Sequence, residues 1–271
     1  VAALVHADGV DEVGDEQCVD DEATTVACLN CLLAEMISRI GGDGFDGFRR
    51  AGEARDDLHE RHDRHRVEEV EAHEALGTLE DLGVDFVRSD VVHVEGKRRT
   101  LHSAPVSRRG VALRTRDFIS SGPERSMVDF PNPFCGVYDA DLRSTGLLEF
   151  PVQFITAEDR YWNWRMFLAD LRFAVVDSQG SFYRRAVAGS LTATYDERQL
   201  GFAGVFDALL REIESRPEDH AHLPKAAHNL LALYHWHYQR RDDIPADLFA
   251  RMTDTVVASA ARTDPEVIER V

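Results

Sequence analysis

An α/β fold is the class this sequence predicts, on three observations. Residues 76–95 pass from a helix end, ALGTLEDLG, into VDFVRSDVVHVE, a run of alternating and β-branched residues, and helix followed by strand is the rhythm of an α/β layer. The same succession recurs where TAEDRYWNWRMFLADL leads into RFAVVDSQGSFYRRA. The chain is 271 residues long and 44% apolar, enough to bury a sizeable core. The expected architecture is a mixed sheet flanked by helices, with a helical C-terminal tail and an N-terminal third that is irregular or poorly ordered.

Taken in order, residues 1–75 form an acidic segment with clusters such as DGVDEVGDEQCVDDE and no alternating β-type run. A helix is expected over about 27–40, and the charged run EARDDLHERHDRHRVEEVEAHE reads as a solvated helix. Gly83 is expected to cap the helix that ends ALGTLEDLG, with a strand over VDFVRSDVVHVEG. RRTLHSAPVSRRGVALRTRDF reads as hairpin and loop, and the Pro- and Gly-rich stretch after it as a connection carrying a short helix at 139–145. LLEFPVQFI is a strand candidate, TAEDRYWNWRMFLADL a helix, and RFAVVDSQGSFYRRA a strand with a turn. Helices are expected over 196–214, 222–240, 245–261 and 264–270. Three regions result: the acidic segment 1–75, an α/β region over 76–215, and a helical extension over 216–271.

Charge narrows the function. The net charge of −18 argues against nucleic acid, whose binding rests on a basic surface. The imbalance is uneven, because residues 1–75 hold 20 acids against 7 arginines, a net of −13, leaving −5 for the other 196. No stretch approaches the roughly 20 apolar residues of a membrane helix, so membrane contact is expected to be peripheral at most. The opening VAALVHADG has no signal-peptide pattern, and the four cysteines, at 18, 28, 31 and 135, have no paired spacing of a secreted framework. A cytoplasmic location is expected.

The segment ITAEDRYWNWRM concentrates candidate chemistry. Thr156 stands where a helix N-cap would, with Asp159 in the position of a capping-box acid, and acids in a first turn are favoured by the helix dipole. That account suffices by itself. The other places Glu158 and Asp159 where a strand's C-terminal end meets a helix N-terminus, the ligand-binding edge of open α/β sheets. A carboxylate there can act as general base on an acceptor hydroxyl, and aromatic faces beside it can pack on a flat ring surface.

The ordered blocks VDFVRSDVVHVEG, FPNPFCGVYDADLRSTGLLEF, ITAEDRYWNWRM and FAVVDSQGSFYRRAVAGSLTATYDERQLGFAGVFDALLREI resemble the later half of family 2 glycosyltransferases of the GT-A fold. The likeness spans about residues 76–215 and is strongest to bacterial members that build cell-surface polysaccharide. In that family an E-D-x-x-W pattern supplies the catalytic base; here it is Glu158, Asp159 and Trp162. The resemblance implies inverting transfer of a sugar from a nucleotide-sugar donor to a hydroxyl of a glycan or lipid-linked acceptor, with Asp159 as base and Glu158 beside it. It implies substrate contacts for Trp162 and Arg160, a position near the donor diphosphate for Tyr183, Arg184 and Arg185, and a divalent cation, Mn or Mg.

The chain departs from the family in its first third, where the nucleotide-binding turn and the cation-binding D-x-D have no recognisable counterpart. Asp139-Ala140-Asp141 spells D-x-D but falls in an acceptor-side block and reads as a pair of helix-start acids. GDGFDG at 42–47 lacks the length and closing Glu of a calcium hand. His59, His62 and His65, and Cys28 with Cys31, lack the partners of a tetrahedral zinc site. His235 and His237 read as core or interface. A donor half that is divergent, truncated or out of frame is expected, with fast hydrogen exchange over 1–75. A truncated, non-catalytic remnant acting as an interaction module is the alternative function.

Overall fold

The computed structural model describes residues 26–27, 73–178, 181–185, 195–263 and 267. The helix expected at 27–40, apart from Ala27 in a strand, the glycine-rich turn at 42–47, the histidine and cysteine spacings before 72 and most of 264–270 lie outside these residues. So does the expectation of fast exchange over the first 72 positions.

The α/β class holds, with two mixed sheets flanked by helices and a helical C-terminal region. Helix α1 covers residues 73–82 and ends at Gly83, whose φ of +54° is open to glycine without strain. The larger sheet contains β1 (Val26–Ala27), β2 (Phe86–Arg88), β5 (Leu113–Arg114), β6 (Gly136–Asp139) and β7 (Arg172–Val175), in the order β1-β6-β2-β7-β5. The central pair β2 and β7 is parallel, with Phe86 opposite Phe173 and Arg88 opposite Val175. Both strands are almost wholly buried, as parallel strands covered on both faces must be. Strand β1 comes from the acidic segment in which no β-type run was expected, and pairs antiparallel with β6 at the sheet's edge.

The smaller sheet has β3 (Val91–Glu95), β4 (Arg98–His102) and β8 (Ser181–Arg184) in the order β4-β3-β8. The hairpin β3-β4 turns at Gly96, and β3 runs parallel to β8. The single strand expected over VDFVRSDVVHVEG is therefore two strands in two sheets. The break has a local cause: the Asp90 carboxylate accepts from the Ala104 amide (2.8 Å) and from Arg109 (3.0 Å), which draws the chain out of the ladder. LLEFPVQFI is also not a strand. Pro151 has no amide to give a ladder, and turns closed by Glu149 onto Gly146 and Phe154 onto Pro151 replace it.

Among the described residues five α-helices cover the sheets or extend from them: α1, α2 (Glu158–Leu168), α3 (Gly201–Glu214), α4 (Leu223–Tyr238) and α5 (Ala246–Arg262). Helix α2 lies against β2 in the opposite direction, since Phe167 meets Phe86 at the strand's start while Asn163 meets Arg88 at its end. Phe86 also stacks on Tyr138 (5.6 Å) and Phe173 (5.5 Å), forming the aromatic centre of the core. Each such ring removed from water contributes about 2 kcal/mol. Helix α3 turns Phe202, Val205, Phe206, Leu209 and Ile213 into the same core, at the i, i+3, i+4 and i+7 spacing of an amphipathic helix. Lys225, in the first turn of α4, is 1% exposed and reaches Asp129 at 2.7 Å. Among the described residues no helix is long and apolar enough to cross a membrane.

Candidate functional site

The orientation of α2 decides where its acids lie. Because Asn163 already reaches the last residue of β2, the first turn, with Glu158, Asp159 and Arg160, stands beyond the C-terminal ends of the parallel pair β2 and β7. That is the edge where α/β sheets bind ligands.

The turn is not built as a capping box. Ala157, not Thr156, is the residue at the N-cap, in the left-handed region at φ +61° and ψ 15°, with no side-chain cap. A non-glycine residue held there stores about 1 kcal/mol or more of strain. Thr156 instead donates its hydroxyl to the Arg198 carbonyl at 2.5 Å, and a Cβ on Gly201 would meet Thr156 Oγ1 at 2.5 Å. The close approach of α3 thus takes Thr156 out of the capping role. Tyr161 donates to Glu212 at 2.8 Å, a second tie between the turn and α3.

Both acids are half-buried. Burial first, and the neighbouring Asp159 charge second, push the Glu158 carboxyl up to about 7. Burial likewise raises Asp159, against the opposing pull of Arg160 and of the Arg160 amide, which donates to its Oδ1 at 2.8 Å. Glu158, titrating at about 7 at a ligand-binding edge, can hold and release a proton at physiological pH, and Asp159 beside it is raised in the same direction.

The other expected residues fall elsewhere. Trp162 is fully buried, stacked on Phe150 (5.3 Å, 3° between planes) and in a T-shaped contact with Tyr138, so the ring is enclosed in the core. Tyr183 and Arg184 lie on β8 of the smaller sheet, with Arg185 directly after it. Asp139 caps the short helix at 140–145 by accepting from the Asp141 amide (2.9 Å), as the reading of helix-start acids expects. His237 is buried and stacked on Phe202 at 4.8 Å; burial, and then Arg240, lowers it to about 4. His235 is exposed and contacts Gln239.

A connection between the two regions escaped the sequence reading. Arg88 is fully buried and donates to Asn163 Oδ1 (3.1 Å) and to the carbonyls of Phe130 (3.0 Å) and Asn132 (2.8 Å). Asn163 returns a bond to the Met127 carbonyl. This clamps the loop at 130–135 to α2, and Phe134 of that loop stacks on Tyr183 at 5.4 Å. An arginine ending an otherwise apolar strand was the available signal. Among the described residues no group of three His, Cys, Asp or Glu side chains is arranged to hold a metal.

Compared with known proteins, the chain matches no family model and no curated sequence.

Proposed function

We propose that the chain is an inverting glycosyltransferase of the family 2 type, transferring a sugar from a nucleotide-sugar donor to an acceptor hydroxyl in cell-surface polysaccharide or glycan synthesis at the cytoplasmic side of the membrane. The observation that carries this reading is the pair Glu158 and Asp159, both raised by burial, at the C-terminal edge of the parallel strands. Asp159 takes the proton of the acceptor hydroxyl as its oxygen bonds to the anomeric carbon. The bond from that carbon to the diphosphate oxygen breaks, and the nucleoside diphosphate leaves. Glu158 keeps the turn close to charge neutrality while Asp159 acts. Arg160 favours the charged form of Asp159 before the proton is taken.

The test is release of nucleoside diphosphate from UDP- and GDP-sugars by the full chain, in the presence of glycan and lipid-linked acceptors. Asp159→Asn should lower the rate by about 10² to 10⁴, the usual contribution of a positioned general base, with the fold unchanged. A fully active Asp159→Asn protein would remove the assignment.

A further inference from the structure

The smaller sheet inverts the charge of the molecule. In a chain of net charge −18, its three strands carry three arginines and two histidines against a single acid, Glu95, which stands opposite Arg98 at the turn end. The opposite end of the same face gathers the histidines. His93 and His102 stack with ring centroids 3.7 Å apart, and Tyr183 lies 5.5 Å from His93. Arg125 reaches the edge of this group by donating to the Ser103 carbonyl at 3.1 Å, next to His102. The Arg185 guanidinium stands 5.9 Å from the centre of the Tyr183 ring, with its amide bonded to Val94. Among the described residues neither Arg125 nor Arg185 forms an ion pair.

We infer that His93, His102, Tyr183, Arg125 and Arg185 form a binding site for a phosphoryl anion on this face of the smaller sheet. Two guanidiniums with no counter-ion among the described residues offer forked donors, the chemistry that best matches phosphate oxygens. Two stacked imidazoles cannot both charge, and an anion facing them supplies the compensation that the protein withholds. In keeping with this, burial and then the neighbouring His102 and Arg185 charges lower His93 to about 4, while burial, Arg125 and Arg185 lower His102. The tyrosine and the arginines are half-buried or exposed, so the face is open to a ligand. A protein this acidic repels anions in general, so binding there must be local. The site stands on the geometry of the sheet; only the source of the anion rests on the glycosyl-transfer reading.

The experiment titrates the full chain with inorganic pyrophosphate at low salt, by calorimetry and by the imidazole signals of His93 and His102. Binding is expected, with both imidazoles shifting, and Arg125→Gln or Arg185→Gln should each weaken it about tenfold, the usual loss of one charge-assisted bond. The exposed Arg143→Gln is the control and should bind as the parent does. Tighter binding of UDP or GDP than of pyrophosphate assigns the site to the sugar donor, tighter binding of geranyl diphosphate assigns it to a lipid-linked acceptor, and equal binding assigns it to the free anion. No binding, or binding that both variants leave unchanged, overturns the site. Pyrophosphate binding without sugar transfer leaves this site standing and removes the glycosyl-transfer reading, whereas transfer without pyrophosphate binding does the reverse.

Discussion

Glu158 illustrates how one side chain couples the proposed chemistry to stability. Its carboxyl ordinarily titrates at 4.5 and stands at about 7 in the folded protein, so the folded state holds the proton more tightly than the unfolded one. Below about pH 4.5 both states are protonated and there is no penalty. Between 4.5 and 7 the penalty grows, and above 7 it is complete. Replacing the carboxyl by an amide removes it, so Glu158→Gln should stabilise the protein at pH 8 by about 2 kcal/mol, after discount for partial exposure, and have little effect at pH 4. Denaturant unfolding of both proteins across this range checks it, and parallel profiles would show that the carboxyl is not held near neutrality. Ala157, strained at the start of the same turn, fits a site in which local cost is accepted to present two acids together.

At the level of elements, α2 is at once the carrier of the acids and the inner wall of the core. Trp162 fixes it there, and Trp162→Ala should cost about 3 to 5 kcal/mol, read as a fall in the unfolding midpoint. An unaltered midpoint would mean that the helix is held from elsewhere. Most elements were legible in the sequence because periodicity reports burial, as in α3 and in the helix that ends at Gly83. What was not legible depended on side chains acting over distance. Nothing in VDFVRSDVVHVEG says that Asp90 will bind Ala104 and Arg109 and divide the strand. Nothing near Thr156 says that Arg198, 42 residues on, will take its hydroxyl and leave Ala157 at the cap. The place of the acid pair in the first turn of α2 was legible, because acids before an aromatic-rich run mark a helix start locally. The histidine stack could have been found by laying β3 against β4 in a Gly96 hairpin, which puts His93 and His102 on one face two positions apart.

Across the whole molecule, the division at residue 215 expected from the sequence crosses a continuous core. One cluster of buried side chains runs from Phe86 to Val256, and includes Leu223, Ala226, Leu230 and Met252 from α4 and α5. Polar ties cross the same line: Asp219, fully buried, meets Arg116 at 2.6 Å, and Lys225 meets Asp129. A chain ended at residue 215 would bare the face of α3 and leave Asp129 without its ammonium partner. It should lose cooperative unfolding and collect in the insoluble fraction; a soluble, cooperatively folded 1–215 protein would show that the tail is dispensable. The Lys225 pair has one more consequence. The sequence contains only two lysines, Lys97 in the exposed β3-β4 turn and Lys225, buried in the first turn of α4 against Asp129. Toward an acylating reagent the folded chain therefore presents one side-chain amine, and a second becomes reactive only when α4 lifts away, so the protein carries within its own composition a chemical gauge of whether its C-terminal helices are docked.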